Sequence, residues 1–376
     1  MEKRYAIVTI AVFALIVGGL SIANFFHTPP NILTAERRVR ERRPHLSIEI
    51  VLRGEFMGGF ETYAADTFPF REHFRAMRAA MVYGVFLQTD KDGVFFNADG
   101  IGSFQETNAD SARLLAEKIY IVAETLPQMN FFLGVIPDKS MYATRNFPGF
   151  CAYTAEEILA ARLVTLPNSY SSGFTMLPIS SALSAGSFYR TDLHWCQVSI
   201  NDVVSLMGDY MDFAADMTQF TRQYAGQFRG GYAGQFALPV SSDSMYYLYN
   251  PHLRAFYMNM ATREFEENLV YDLALFHGFD PFDIFLRGVQ PLVILENEYA
   301  VSSRELYIFR DSFSSSLAPI LASYYARIVL VDFRFIDLQT LHTLIDFTVG
   351  ADVLFLYSAG IINNSEVLAI YQQRSS

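Results

Sequence analysis

Two short stretches of this chain contain the residue types that nucleophilic catalysis needs. The first holds Ser312, which follows an apolar, strand-like run at residues 305–309 and precedes a helix-like segment at 314–325. In parallel α/β sheets, sites form at the carboxyl ends of strands, and the free N–H groups of a following helix favour negative charge. The placement suits a nucleophile and the oxyanion that it creates. An ordinary helix cap by Asp311 or Ser312 would produce the same pattern.

The second stretch contains Asp192 and His194. If the segment is extended, residues two apart point to the same face, so we expect the carboxylate to orient the imidazole as a general base. A structural Asp–His pair is the alternative, and spacing alone favours it. Cys196 falls on the same face and would suit a metal site. The chain lacks HExxH, CxxC and a second paired histidine, so we predict no metal.

The elements that must position these residues predict an α/β domain. Strand-like and helix-like segments alternate, which indicates a parallel sheet covered on both faces. The predicted strands are residues 94–96, 130–136, 305–309, 326–333 and 352–357, and the predicted helices are residues 110–125, 155–164 and 314–325.

Two segments depart from this alternation. Residues 46–86 have apolar side chains at mixed helical spacing, and we expect one or two helices that pack on a core. Residues 217–280 are rich in Tyr, Gly and Asn, and we expect an irregular or β-rich insertion. Its Tyr246, Tyr247 and Tyr249 could stack on sugars, but a strand with one buried face is the simpler interpretation.

Composition excludes several classes of protein. The formal net charge of -11 argues against a sequence-independent grip on nucleic acid phosphates. The two cysteines, Cys151 and Cys196, cannot build a disulfide framework or a four-thiolate metal site, and whether they pair is left open.

The N-terminus predicts a membrane anchor. Residues 5–26 are almost all apolar, long enough to cross a bilayer, and preceded by Lys3 and Arg4. Cleavage after the small residues near Ala23 is the alternative. Five arginines within residues 37–43 would by themselves keep the large domain in the cytoplasm. That run could be a solvated helix face or a patch on anionic headgroups. The expected segments are an anchor (1–27), a neck (28–45) and one domain (46–376).

Several motifs resemble one protein family. Residues 189–197 (Tyr-Arg-Thr-Asp-Leu-His-Trp-Cys-Gln) resemble the motif that names the DHHW family, with Leu193 in place of the first histidine. Residues 308–321 resemble the family's Asp-Ser element, and Arg310 stands where SGNH esterases usually have glycine. Residues 331–334, residues 68–72 and the pair Asp138-Lys139 resemble further family segments, with Glu72 in place of Asp. Their common order along the chain is stronger evidence than any one motif.

The resemblance implies a fold, a site and a location. DHHW proteins are similar to the exported alginate O-acetyltransferases, which carry an SGNH-hydrolase-like domain. The expected fold is therefore an SGNH-like three-layer α/β sandwich with a parallel sheet, behind one transmembrane helix. By resemblance Ser312 is the nucleophile, His194 the base and Asp192 its orienting acid. The domain is expected outside the cytoplasmic membrane, against the arginine count.

The resulting hypothesis is O-acyl transfer, in the simplest case acetyl transfer, to a polysaccharide of the cell envelope. The resemblance implies that an integral-membrane acyltransferase supplies the donor, and no cofactor is needed. The alternatives are a carbohydrate esterase with the same triad and a non-catalytic envelope assembly protein.

Stabilising the oxyanion needs donors that the sequence identifies only in part. The backbone N–H of Ser312 is one candidate. Gly278 or Asn297 could supply another, although both are typical turn residues. Arg334 could reach the site or form a salt bridge, and Asp311 is a neighbour that could contact substrate.

Overall fold

The structure is a computed structural model that describes residues 2–104, 106–143, 155–164 and 173–370. Within these residues the chain forms two compact units, one of Met1–Asp92 with Ala233–Val240 and one of Gly93–Tyr232 with Ser241–Ser376. The segments predicted as anchor, neck and domain (1–27, 28–45 and 46–376) stay a prediction. Cys151 lies outside the described residues, within which Cys196 forms no disulfide.

The first unit begins with helix α1 (Glu2–Phe26). Within the described chain, one helix is long and apolar enough to cross a membrane, and it is this one, at Arg4–Phe26. Length and composition alone support that statement, and a signal sequence has the same properties.

The arginine run after α1 is not a helix face, which corrects one interpretation of the sequence. Its first two arginines, Arg37 and Arg38, lie in a small antiparallel hairpin of β1 (Ile32–Leu33) and β2 (Arg38–Val39), and the others follow it in non-helical chain. Arg38 makes a bidentate pair with the buried carboxylate of Asp66 at 2.6 and 2.7 Å and contacts Glu36. At least this arginine therefore serves an ion-pair network inside the unit.

Three helices complete this unit with strand β3 (Asp90–Lys91): α2 (Ile48–Leu52), α3 (Glu55–Thr67) and α4 (Arg71–Ala80), with a π-helical turn at Met81–Val85. The sequence predicts their helicity but not their orientation. Phe60, Phe68, Phe70 and Phe74 are exposed rather than packed on a core. The reason is that charged side chains of α3 and α4 occupy the inner side.

The second unit is built on one large sheet. The described strands of this unit, in chain order, are β4 (Val94–Asn97), β5 (Gly100–Ser103), β6 (Asn130–Ile136), β7 (Phe174–Leu177), β8 (Thr221–Phe228), β9 (Asp243–Tyr249), β10 (Arg254–Met258), β11 (Phe265–Asn268), β12 (Leu292–Glu296), β13 (Glu305–Arg310), β14 (Arg327–Val331) and β15 (Asp352–Ser358). Eight of them form the large sheet, in the order β11-β10-β12-β14-β13-β15-β6-β7. From β14 to β7 the pairing is parallel, and from β11 to β14 it is antiparallel. The sheet is therefore mostly parallel with an antiparallel edge, which the sequence did not indicate.

Helices lie on both faces of this sheet. The helices of the second unit are α5 (Ala109–Thr125), α6 (Ser140–Ala143), α7 (Ala155–Val164), α8 (Asn201–Met211), α10 (Ser314–Leu321), α11 (Leu338–Leu344) and α12 (Ala359–Ile362), and α9 (Gly231–Phe236) has residues of both units. Along β13, Tyr307 and Phe309 join a core with α5 and α11, whereas Leu306 and Ile308 join a core with α8 and α10. Because both faces are buried, the central strands are continuous apolar runs in the sequence.

The segment 217–280 is more regular than an irregular loop, and its β-rich interpretation is the better one. It contains an antiparallel hairpin of β8 and β9 and a second hairpin of β10 and β11. The second hairpin supplies the antiparallel edge of the large sheet. The first is attached to the loop that carries Asp192 and His194.

Candidate active site

Ser312, His194 and Asp192 form a continuous hydrogen-bonded relay. Ser312 Oγ lies 2.9 Å from His194 Nε2, and His194 Nδ1 lies 2.8 Å from Asp192 Oδ1. His194 and Asp192 are buried, and Ser312 is only half-buried. This is the geometry in which an imidazole can accept the serine proton while a carboxylate fixes its tautomer.

The strand-to-helix turn after β13 presents Ser312. The Asp311 carboxylate accepts the N–H of Phe313 through Oδ1 at 3.1 Å and the N–H of Ser358, at the end of β15, through Oδ2 at 2.7 Å. Asp311 is thus a buried brace between two strand ends. A carboxylate with both oxygens occupied by N–H groups is unsuited to stabilise an oxyanion, so Asp311 is not an oxyanion group.

Arg310 occupies the position before this turn and is fully buried. Its guanidinium donates to Ser315 Oγ at 2.7 Å and to the carbonyls of Asp311 and Gln290 at 3.3 Å. Burial lowers the pKa of this guanidinium. The arginine that replaces the usual glycine therefore ties the turn to the first residues of α10.

Asp192 and His194 lie in a tight loop, not in the extended segment that the alternation argument assumed. The loop is closed by an antiparallel bridge between Phe188 and Trp195. The backbone N–H of His194 donates to Asp192 Oδ1 at 3.1 Å, a local Asx-type contact that brings the two side chains together. The predicted pairing is present, but a turn produces it instead of strand alternation.

The other oxygen of Asp192 is held by the backbone of the Gly230-Gly231 pair. The N–H of Gly231 donates to Asp192 Oδ2 at 2.9 Å. A Cβ at Gly230 would lie 2.4 Å from Asp192 Cβ and 2.3 Å from the carbonyl oxygen of Thr191, so only glycine fits this approach.

Aromatic rings hold the imidazole on two sides. Phe282 stacks on it with 3.8 Å between ring centroids and 7° between the planes, and Phe313 packs at 4.9 Å. Trp195 is buried behind the site, where its Nε1 donates to Ser316 Oγ at 2.9 Å and to the Phe313 carbonyl. These contacts leave the ring few other orientations.

A buried lysine binds the backbone of the loop that carries Asp192 and His194. Lys139 follows β6, and its Nζ donates to the carbonyls of Tyr189, Arg190 and Asp192 at 2.8, 3.2 and 3.3 Å. Burial lowers the pKa of this ammonium to about 8, partly offset by nearby carboxylates such as Asp192.

A carboxylate binds the same loop from its other side. Asp243, at the start of β9, accepts the N–H groups of Arg190 and Thr191 at 2.8 Å each. It also accepts the hydroxyl of Thr191. The first hairpin of the insertion is therefore attached directly to the loop that carries Asp192 and His194.

Three further sequence candidates have other roles. Arg334 makes a bidentate pair with the buried Asp332 at 2.6 and 2.9 Å, which is the salt-bridge alternative. The N–H of Gly278 already donates to the carbonyl of Leu275 at 2.8 Å, so it is not available for an oxyanion.

Asn297 is not at the site at all. Asn297 follows β12. The strand register aligns Glu296, the last residue of β12, with Arg327 of β14, and Arg327 with Glu305 at the start of β13. Ser312 follows the other end of β13, about 16 Å away for a six-residue strand. Asn297 instead bonds the Ala322 carbonyl through its side chain.

One oxyanion donor remains from the sequence candidates. The N–H of Ser312 donates no recorded hydrogen bond to any described residue. Among the described residues, no group of three or more His, Cys, Asp or Glu is arranged to hold a metal ion.

Sequence reasoning missed the supports of the relay. Phe282 and Asp243 are distant along the chain and have no local signal. The Gly230-Gly231 pair is a turn signal that could have indicated a close approach of backbone at this point. Lys139 was identified only through the resemblance of Asp138-Lys139 to a family segment.

Comparison with known proteins supports the fold. No family model matches the chain, and no curated protein matches it. A DHHW family protein from Eubacterium siraeum is similar in structure at 16% identity with a TM-score of 0.58, covering 74% of this chain and 95% of that one. The structure of Bacillus cereus PatB1 with a sulfonyl adduct is similar at 14% identity with a TM-score of 0.55, covering 72% and 95%. The O-acetyltransferase domain of Pseudomonas putida AlgJ has a TM-score of 0.40, too low to equate the folds.

The described part of this chain is thus a mixed α/β protein with a large, mostly parallel sheet, and it shares its fold with a DHHW family protein and with PatB1, as the order of its motifs predicted.

Proposed function

We propose that this protein transfers an O-acyl group, in the simplest case acetyl, to a polysaccharide through an acyl-Ser312 intermediate on an SGNH-like three-layer domain. The observation that carries the proposal is the complete relay from Ser312 through His194 to Asp192. A purely structural Asp–His pair would not need a half-exposed serine at hydrogen-bond distance from the second ring nitrogen.

The geometry defines the role of each group. His194 Nε2 accepts the Ser312 proton as Oγ attacks the carbonyl carbon of an acyl ester, and it returns the proton to the departing alcohol. The N–H of Ser312 stabilises the oxyanion. A sugar hydroxyl then gives its proton to His194 and attacks the acyl-serine, which regenerates the free serine. Asp192 stabilises the imidazolium in both halves, and no metal or cofactor takes part.

One further consideration supports this chemistry. Sulfonyl reagents react with activated nucleophiles, and PatB1, which shares the fold, has been obtained with a sulfonyl adduct. Hydrolysis by the same triad, with water as acceptor, is the alternative activity. A non-catalytic envelope assembly protein is the second alternative, and it would not form an acyl-serine.

The outer face of the β8–β9 hairpin favours transfer over hydrolysis. Arg222 lies 3.9 Å from the ring of Tyr246, and Tyr224 packs against that ring at 5.2 Å. Gln227 and Ser244 lie on the same face after a bulge at Gly226. None of these five polar side chains makes a recorded hydrogen bond within the described residues, so their donors and acceptors are free for a ligand. Aromatic rings with free polar groups suit a sugar chain.

The hairpin is joined to the catalytic loop where β9 begins. Asp243 binds the loop from one face of β9, and Tyr246 lies on the opposite face, three residues and about 10 Å further along the strand. An acceptor held on the outer face would therefore reach the relay around the start of β9, past Ser244.

Acceptor oligosaccharides from the envelope of the producing organism should accelerate consumption of an acetyl donor ester and yield acetylated sugar by mass spectrometry. Positioned hydroxyls can reach effective molarities on the order of 10⁵ M, enough to outcompete water. Tyr224→Ala should raise the KM for the acceptor about 5- to 10-fold, the loss of one aromatic contact of about 1 kcal/mol, without changing hydrolysis of the donor.

Tyr210→Ala is the matched control, because Tyr210 is a similarly exposed tyrosine on α8. The carbonyl of its neighbour Met211 accepts a hydrogen bond from Arg304, which lies just before β13 begins. Tyr210 is therefore near the start of β13, at the end of the strand opposite to Ser312. If water stays the best acceptor across the panel and the protein removes acetyl groups from native polysaccharide, the esterase alternative replaces this proposal.

The proposed location is the cytoplasmic membrane, with α1 as a single-pass anchor and the catalytic unit outside the cytoplasm. An integral-membrane acyltransferase is the proposed source of the acyl donor, since an extracytoplasmic enzyme has no direct access to cytoplasmic acyl donors.

A cysteine introduced at Thr262, an exposed turn residue, should react with a membrane-impermeant maleimide in intact cells. The unmodified chain, with its two native cysteines, is the background control. Labelling that requires lysis would place the domain in the cytoplasm, as the arginine count alone predicts.

A further inference from the structure

Helix α4 has its amphipathic character inverted. Apolar side chains form a stripe at Phe70, Phe74, Met77, Met81 and Val85, a spacing of three or four residues that places the helical members on one face. This face is exposed: Phe70 is 59%, Met77 54% and Val85 69% accessible.

The charged face of the same helix points into the unit. The side chains of Arg71 and Arg75 are only 14% and 19% exposed, and both pair with Glu36 at 2.7 and 2.9 Å. Arg71 also approaches the buried Asp66 at 3.4 Å. A surface helix of a water-soluble protein has the opposite arrangement, with apolar residues buried and arginines exposed to solvent.

The neighbouring helices also expose apolar side chains. Ile48 and Leu52 of α2 and Met57 and Phe60 of α3 are exposed, and α2 has no buried residue. Isolated exposed apolar residues are ordinary, but three successive helices with exposed apolar side chains indicate a surface that is covered in the native setting. We define this surface, on residues 48–85, as the outer apolar face.

We propose that the outer apolar face lies in the interfacial layer of the lipid bilayer that α1 crosses. The inference goes beyond the proposed chemistry and rests on the proposed anchoring. Interfacial helices bury such a face at the boundary of headgroups and acyl chains.

The connection to α1 favours the bilayer as the occupant. Only residues 27–47 separate α1 from α2, at most about 70 Å when fully extended, and the β1–β2 hairpin shortens this span. The tether keeps the face at a high local concentration beside the membrane. Because acidic partners neutralise the inner arginines, apolar burial rather than charge should drive the contact. It should therefore occur on zwitterionic lipid and depend little on salt.

The test uses the full chain reconstituted in vesicles, with an environment-sensitive fluorophore on Met77→Cys. Met260→Cys is the matched control, a methionine of 60% exposure in the turn between β10 and β11. Labelled parent chain defines the background from the two native cysteines. Met81→Cys repeats the measurement at a second position of the stripe.

In vesicles of zwitterionic lipid the labels at 77 and 81 should emit at shorter wavelength than the label at 260. Lipids with a nitroxide near the headgroup should quench them several-fold more strongly. If the labels at 77 and 81 are as exposed to water as the label at 260, the inference is overturned. It is also overturned if these labels are shielded from water but not quenched by the nitroxide lipid, since a protein partner or a second copy would then cover the face. Failure of the chain to float with vesicles would instead refute the proposed anchoring.

Discussion

Ser312→Ala should lower kcat for hydrolysis of a small acetyl ester by about 10⁴-fold or more, because the nucleophile of the acyl-enzyme mechanism is lost. The domain should remain folded, since the half-buried Ser312 side chain makes one recorded hydrogen bond, to His194, worth about 1 kcal/mol. Circular dichroism and thermal unfolding establish that the variant is folded, and a spectrophotometric ester assay measures the rate.

The other two members of the relay give matched variants. His194→Ala and Asp192→Ala should each abolish turnover, and the triple variant should be little slower than Ser312→Ala, because groups that act as one unit are not additive. A sulfonyl fluoride should add one adduct mass to the parent chain and none to Ser312→Ala. Full activity in Ser312→Ala, or a sulfonyl adduct that persists in it, would remove this serine from the mechanism.

The central sheet could be predicted from sequence because burial on both faces imposes a continuous apolar composition. Residues 130–136 were predicted as a strand and form β6 with the same limits, and residues 305–309 lie within β13. The antiparallel edge could not be predicted, since the hairpin of β10 and β11 joins the sheet through pairing with β12, which is distant in sequence. Strand pairing between distant segments leaves no local signal.

The relay was predicted from residue types, order and resemblance, but the reason given for the Asp–His pairing was wrong. Alternation along a strand and an Asx-type turn both place residues two apart together, and composition does not distinguish them. The residues that support the relay could not be predicted from sequence, because Phe282 and Lys139 approach the loop from remote segments. Asn297 shows the converse case. It is a residue of suitable type, but the strand register places it near the start of β13, at the end of the strands opposite to Ser312.

Periodicity in residues 46–86 predicted one or two helices where the structure has three and a π-helical turn, and it did not predict which faces are buried. Periodic apolar residues indicate that a helix has an apolar face. The inference that this face packs on a core assumes that the polar face is exposed to water. The ion pairs of Arg71 with Glu36 and Asp66 reverse that assumption, and they join residues far apart in sequence.

Lys139→Met should reduce ester turnover on the order of 10²-fold, because the loop that carries Asp192 and His194 loses the donor that binds three of its carbonyls. A displacement of about 1 Å in a catalytic group has this magnitude of effect. The Lys139 ammonium donates to backbone carbonyls and lies 5.5 Å from the centre of the Tyr232 ring, so it acts on the relay through the loop and is a positioning residue. Its distinguishing readout is the pH profile.

Protonated Lys139 has three N–H groups for three carbonyls, and the neutral amine has two. With the pKa of Lys139 lowered to about 8 by burial, the parent chain should lose activity above about pH 8. This alkaline limb should be absent from the residual activity of Lys139→Met. Lys139→Arg, which stays charged throughout, should keep its activity at pH 9 if the guanidinium reaches the same carbonyls. A parent profile that is flat from pH 7 to 9.5 would contradict the positioning role.

Folding stability should change in the opposite direction to activity. The pKa of Lys139 is about 8 in the folded chain and 10.5 for an ordinary lysine, so between these values the unfolded chain binds a proton that the folded chain does not. Stability therefore rises with pH across this window. At pH 7 the folded chain carries the cost of burying the ammonium, and that cost has largely disappeared by pH 10. The difference in unfolding free energy between the parent and Lys139→Met should shift in favour of the parent by about 2 kcal/mol from pH 7 to pH 10, measured by urea denaturation. A residue that only filled space would leave this difference constant. A buried lysine that lowers stability at pH 7 but binds the loop carrying His194 is suited to positioning that loop rather than to stabilising the fold.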